Sequence, residues 1–148
     1  MKKNNKNMKD NFYRVLNHTA DVGFEVDARD KDLLFIRSAY ALIDLMVDIE
    51  RIEAKEEREI KISDSFDLES LFISWLGEIL FYFETKGFLT SKVKKINFND
   101  GGMEALVLGE RYDEKKHPIK AVFKAPTYHN LKVGKENGIW VARVILDV

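Results

Sequence analysis

One stripe of side chains narrows the possible folds at once. Leu68, Leu71, Phe72, Trp75, Leu76, Ile79, Leu80 and Phe83 recur at i, i+3, i+4, i+7 without a gap. Burying each is worth roughly 1.5–3 kcal/mol, so this helix must lie with one face on a core. Asp67 or Ser65 is positioned to start it, and Gly87 after Lys86 to stop it. Gly77, inside the helix, costs about 1 kcal/mol relative to alanine, which points to a close backbone approach there.

The other segments supply what that face packs against. Residues 12–16 are β-rich, and Val22, Phe24, Val26 and Ala28 alternate with Gly23, Glu25, Asp27 and Arg29, a strand with one wet face. Asp30 is a helix N-cap, and Phe35, Ala39, Leu42, Ile43 and Met46 carry a first helix to about residues 46–48. A charged stretch leads to a short strand around Ile60 and Ile62. Residues 93–98 and 103–108 form a hairpin about Asn99-Asp100-Gly101-Gly102. Pro118 opens a further strand over 119–124, which Pro126 ends, and Asn137-Gly138 turns a second hairpin. The last strand, from Ile139, is apolar on both faces, as an interior strand is. The expectation is an α+β domain, an antiparallel or mixed sheet with two main helices, over residues 12–148. Residues 1–11, rich in Lys and Asn, read as a disordered tail.

Composition removes several chemistries. There are 148 residues, 45% hydrophobic, with a net charge of -1, so nucleic acid is not held by bulk charge. The absence of cysteine excludes disulfide scaffolds, zinc ribbons, iron–sulfur centres and thiol nucleophiles. No apolar run reaches the roughly 20 residues of a membrane helix, so a cytoplasmic protein without membrane contact is expected. GxxxxGK[ST], GxGxxG after a strand, GxSxG and HExxH are all missing. Glu110 and Asp113 flanking Arg111 read as a surface ion pair, and Phe81-Tyr82-Phe83 as helix core.

The chain end is unusual. An interior strand runs out at Asp147, and Val148 carries the main-chain carboxylate. Two like charges about 4 Å apart cost roughly 4 kcal/mol at an effective dielectric of 20. They must be hydrated, lose one charge to a proton, or bind a cation; neighbouring carboxylate oxygens suit calcium, magnesium or another hard ion. A terminus simply standing in water is the plain alternative. Asp21, in the turn His18-Thr19-Ala20-Asp21, either bonds its own turn or completes an oxygen site, if its strand neighbours the last one. His18 and His129 sit beside turns and read as hydrogen-bonded structural histidines.

In order along the chain stand His18-Thr19-Ala20-Asp21-Val22-Gly23, Asp44-Leu45-Met46, Trp75-Leu76 with Glu78, Gly109-Glu110 with Tyr112-Asp113 and His117, Lys124-Ala125, Thr127-Tyr128-His129, and the ending Trp140 to Val148. This ordered set resembles the archease family; the Lys/Asn tail and Pro126 depart from its pattern. The resemblance implies no enzyme but an accessory protein. It would activate an RtcB-type RNA ligase in tRNA splicing and RNA repair, promoting ligase guanylylation and turnover with GTP and manganese. RNA would be met only through the ligase. The resemblance also implies a divalent metal site of the protein's own, usually calcium, with magnesium or manganese possible, held by Asp21, Asp147 and the Val148 carboxylate. His18, Tyr128 and His129 would line that site or touch the partner if the turns converge. An older view of the family, as chaperone-like modulators of RNA-modifying enzymes, is a second reading. A metal-dependent phosphoesterase built on His18, Asp21 and Asp147 is a third.

Overall fold

The computed structural model describes residues 12–18, 21–65 and 67–148, His18 by its backbone alone. The expected tail over residues 1–11 lies outside the described residues. Seven strands and two long helices follow in the order β1 (Tyr13–His18), β2 (Asp21–Ala28), α1 (Lys31–Met46), β3 (Glu56–Ile62), α2 (Leu68–Lys86), β4 (Phe88–Asn99), β5 (Gly102–Arg111), β6 (Ala125–Glu136) and β7 (Ile139–Asp147). The α+β class is as expected. The strands divide into two antiparallel sheets, β1-β2-β7-β6 and β3-β5-β4.

Helix ends follow their capping chemistry. The Leu33 N–H donates to Asp30 Oδ1 at 2.8 Å and starts α1. At α2 the Asp67 carboxylate accepts the Ser70 N–H at 2.7 Å, and the chain leaves through Gly87 at φ 63. The stripe read from sequence is the buried face: Leu71, Phe72, Trp75, Leu76, Ile79 and Leu80 are inaccessible or nearly so. The Trp75 indole N–H donates to the Phe35 carbonyl at 2.8 Å, which ties α2 to α1 within the core. Phe81, by contrast, is 53% exposed, so the Phe81-Tyr82-Phe83 run is not uniformly core. Gly77 also differs from expectation. A Cβ built there meets nothing within 4 Å, so no neighbouring backbone requires this glycine. No helix of the described residues is long and apolar enough to cross a membrane.

Residues 119–124 are not a strand. The Lys120 N–H donates to the Met46 carbonyl at 2.7 Å, and Phe123 is driven into the core. The segment is therefore a packed connection: the Lys120 and Ala121 N–H groups go to the end of α1, and Lys124, its last residue, bonds to the end of β7. Pro126 does not end a strand but sits near the start of β6, opposite Leu146. β6 is an edge strand, where a residue without an N–H is tolerated. β7 is interior, between β2 and β6, which explains its apolar residues on both faces.

Phe24, Val26, Ala28, Ala142, Val144 and Leu146 form the inner face of the four-stranded sheet, against the helices. The residues alternating with them face the other way, and among the described residues no helix covers that open face.

Candidate functional site

The two ends of β2 and β7 decide the geometry. These strands pair antiparallel, with Val22 opposite Leu146 and Gly23 opposite Ile145. One residue further on each strand stand Asp21, the first residue of β2, and Asp147, the last of β7. Directly opposed residues on one ladder have Cβ atoms roughly 4.5–5.5 Å apart and share a face. Both aspartates are exposed, on the open face of the sheet.

Asp147 is fixed from its other side as well. Ala125 of β6 is its partner in the ladder, and the Lys124 N–H donates to the Asp147 carbonyl at 2.7 Å. Asp21 is fixed by β1, where His18 is its register partner. The backbone thus brings Asp21 and Asp147 to one end of the sheet, with Val148, 58% exposed, immediately beyond. The donor set is oxygen only and anionic, which fits a hard divalent cation that keeps several waters. Among the described residues there is no group of three or more Asp, Glu, His or Cys side chains that could hold a metal.

Tyr128 and His129 stand apart from this row. β6 pairs Thr127 with Ile145 and then Lys132 with Arg143, so residues 128–131 bulge out opposite Val144 alone. Asn130 takes φ 52 within the bulge, and the His129 N–H donates to Thr127 Oγ1 at 3.3 Å. Tyr128 is 60% exposed. Both belong to a bulge that begins three residues past Ala125, the neighbour of Asp147.

Glu110 is not part of a surface ion pair with Arg111. It is buried, and His117 with it. Glu110 Oε2 accepts from the Glu53 N–H and lies 2.9 Å from His117 Nε2, while Lys116 Nζ donates to Oε1 at 2.9 Å. His117 Nδ1 accepts the Asp113 N–H at 3.0 Å, so the ring is held with its proton on Nε2, donating to Glu110. Burial alone would raise the Glu110 carboxyl. The hydrogen bonds from Lys116, the Glu53 backbone and His117 outweigh it and hold the group at about 2. This cluster pins the connection between β5 and β6, whose last residue, Lys124, bonds the Asp147 carbonyl. Its sequence signal was the spacing of Glu110 and His117, but charge next to Arg111 suggested a surface.

The sequence model of the Archease protein family (MTH1598/TM1083) matches residues 13–148. The chain belongs to the archease family. A protein archease of Methanopyrus kandleri is 40% identical over 139 residues, covering 92% of this chain and 99% of its own. One from Methanosarcina mazei is 35% identical, covering 92% and 95%. The solution structure of Methanobacterium thermoautotrophicum protein 1598 superposes on this archease with a TM-score of 0.75 at 33% identity, covering 93% of this chain and 99% of that one. A Thermotoga maritima crystal structure, described as an archease and possible chaperone, shares the fold at 17% identity with a TM-score of 0.57.

Proposed function

We propose that this archease is an accessory protein for an RtcB-type RNA ligase, promoting its guanylylation and turnover in tRNA splicing and RNA repair. The observation that supports the reading is that Asp21, the first residue of β2, and Asp147, the last of β7, stand at the same end of two paired strands, beside Val148. Two carboxylates and the Val148 carboxylate would bind one divalent ion, calcium, magnesium or manganese. Such an ion neutralises phosphate charge and orients reacting groups when bound. Asp21 and Asp147 stand exposed on the open face, where a partner has access. Neither is a nucleophile or a base in the reading; the chemistry belongs to the ligase.

The test is ligase guanylylation with and without this archease, in wild type and in the Asp21→Ala/Asp147→Ala variant. The expected result is stimulation by wild type and its loss in the variant. An unchanged rate with wild type, or full stimulation by the variant, refutes the reading. Calorimetry with each of the three metals adds a second measure. A C-terminal tag, which turns the Val148 carboxylate into an amide, is expected to weaken metal affinity relative to the same tag at the N-terminus.

A chaperone-like role is the second reading, supported by the description of the Thermotoga maritima relative. It predicts a client effect that survives loss of Asp147 and does not respond to metal. Phosphoesterase activity by the archease alone would point to the metal-dependent hydrolase instead.

A further inference from the structure

The open face of the four-stranded sheet has a second charged feature, about four residues along the strands from Asp21 and Asp147. Glu25 points to this wet face, yet it is only 7% exposed. Its cover is two guanidiniums. Arg143 Nε and Nη2 donate to Glu25 Oε2 at 3.1 and 2.8 Å, and Arg14 pairs with Oε1 from the other side. In the ladders Arg14 faces Glu25, Glu25 faces Arg143, and Arg143 faces Lys132, a single row across four strands. Arg37 of α1 joins it, its Nη1 donating to the Asp27 carbonyl at 2.8 Å. Together these residues line an open groove of about 580 Å³.

The charges are not balanced at the surface. Glu25 is shared by two arginines and lies beneath them. Glu136 is taken by Lys132, Arg37 bonds the Asp27 carbonyl, and the exposed Asp27 carboxylate lines the groove as well, so four cations stand against three carboxylates. Arg14 and Arg143, 71% and 45% exposed, keep most of their N–H donors directed outward. Side-by-side guanidiniums repel unless an anion is near both, and Glu25 satisfies only their inner edges. Their outer edges are planar forks suited to phosphate oxygens. Strands lie roughly 4.8 Å apart, so Arg14, Arg143 and Lys132 extend over some 14 Å as a track rather than a cup. Half-buried Phe12 lines the same groove and offers a ring face beside it. A cationic track with an aromatic neighbour and open sides is how single-stranded nucleic acid is held. A free nucleotide would call for a more enclosed pocket.

We propose that this groove contacts single-stranded RNA directly, with Arg14, Arg143 and Arg37 on its phosphates. The proposal does not rest on the metal reading, because it uses none of the residues at the β2–β7 end. It also goes beyond a protein that meets RNA only through its ligase. The small excess of cations means weak, salt-sensitive binding set by guanidinium geometry rather than by bulk charge.

The experiment is fluorescence anisotropy of a labelled oligouridine titrated with full-length archease, free of ligase, at several salt concentrations. Variants are Arg37→Gln, Arg143→Gln, and Glu25→Gln/Arg143→Gln, which removes the buried charge that the single change would strand. Lys95→Gln, on the other sheet, is the control, and thermal melting checks folding. Saturable binding is expected, weakened roughly tenfold in each arginine variant, with the log–log salt slope lowered by about one per lost contact. Lys95→Gln is expected to bind as wild type. Absence of saturable binding, or equal binding by wild type and the three groove variants, overturns the proposal. So does oligoglutamate binding at the groove in place of RNA, which would make it a seat for an acidic protein segment.

Discussion

Replacing His117 by alanine tests whether the buried cluster organises the β5–β6 connection. His117 is fully buried and bridges two partners, the Glu110 carboxylate and the Asp113 N–H. His117→Ala removes a hydrogen bond to a charged group, worth roughly 1.5–3 kcal/mol, and leaves the Asp113 N–H without its acceptor. It also empties a ring-sized volume, and core truncations of this kind cost about 2–5 kcal/mol. Glu110 retains Lys116 and the Glu53 N–H, so its charge is not stranded. The expected loss is therefore about 3–5 kcal/mol by urea denaturation. The acid limb gives a second readout. Glu110 is depressed from 4.5 to about 2, so it stabilises the fold above pH 4.5, and that stability is lost as pH falls towards 2. After solvent screening through the exposed lysines the contribution is on the order of 1–2 kcal/mol. Glu110→Gln should flatten this part of the stability–pH profile. Hydrogen exchange at Lys124, whose N–H holds the Asp147 carbonyl, should accelerate in His117→Ala. A loss under about 1 kcal/mol, with Lys124 protection unchanged, would refute the pinning argument.

Three further outcomes follow from single contacts. Gly77→Ala is expected to raise stability by about 1 kcal/mol, seen as a higher melting temperature, because the helix gains propensity and the added methyl meets nothing. Gly23→Ala should do the reverse: its Cβ would lie 2.2 Å from the Val144 carbonyl, so β2 and β7 must separate, at a cost of about 1–3 kcal/mol in denaturant. Asp67→Ala removes the α2 N-cap and should cost about 1 kcal/mol, with faster exchange confined to the first turn of that helix.

Local patterns were legible where local physics decides the conformation. Asp30, Asp67 and Gly87 mark helix ends because orphan N–H and C=O groups must be satisfied nearby, and the α2 stripe marks its face because one side must be dry. Asn137-Gly138 turns the last hairpin at φ 52 and 84, which few other pairs accept. Residues 119–124 misled because β-branched and apolar residues also plug cores. Whether they form a ladder depends on what lies beside them, and the Met46 carbonyl does. Glu110 misled for a related reason. A carboxylate between charged neighbours is ordinarily wet, and only the fold of 112–117 back over β5 makes it a buried acceptor.

The candidate site lies between these cases. Each half was visible alone, Asp21 in a turn and Asp147 at a strand end, but nothing local brings together residues so far apart in the chain. What does so is the choice of β7's partner. Its two apolar faces demand an interior place, which requires a strand on each side. β6 supplies one through the tight turn at Asn137-Gly138. The other must be a strand with a matching inner face, and Phe24, Val26 and Ala28 provide it against Val144, Ala142 and Trp140. A slip of one residue would turn Phe24 and Val26 into water, so the apolar pattern fixes the register as well as the partner. Gly23 narrows the choice again, since Ile145 and the Val144 carbonyl occupy the space a side chain would need. With that register set, Asp21 and Asp147 have no alternative but to face each other. The two aspartates reach one end of the β2–β7 pair as a consequence of core packing, because the hydrophobic register that buries Phe24 and Val26 leaves their positions no freedom.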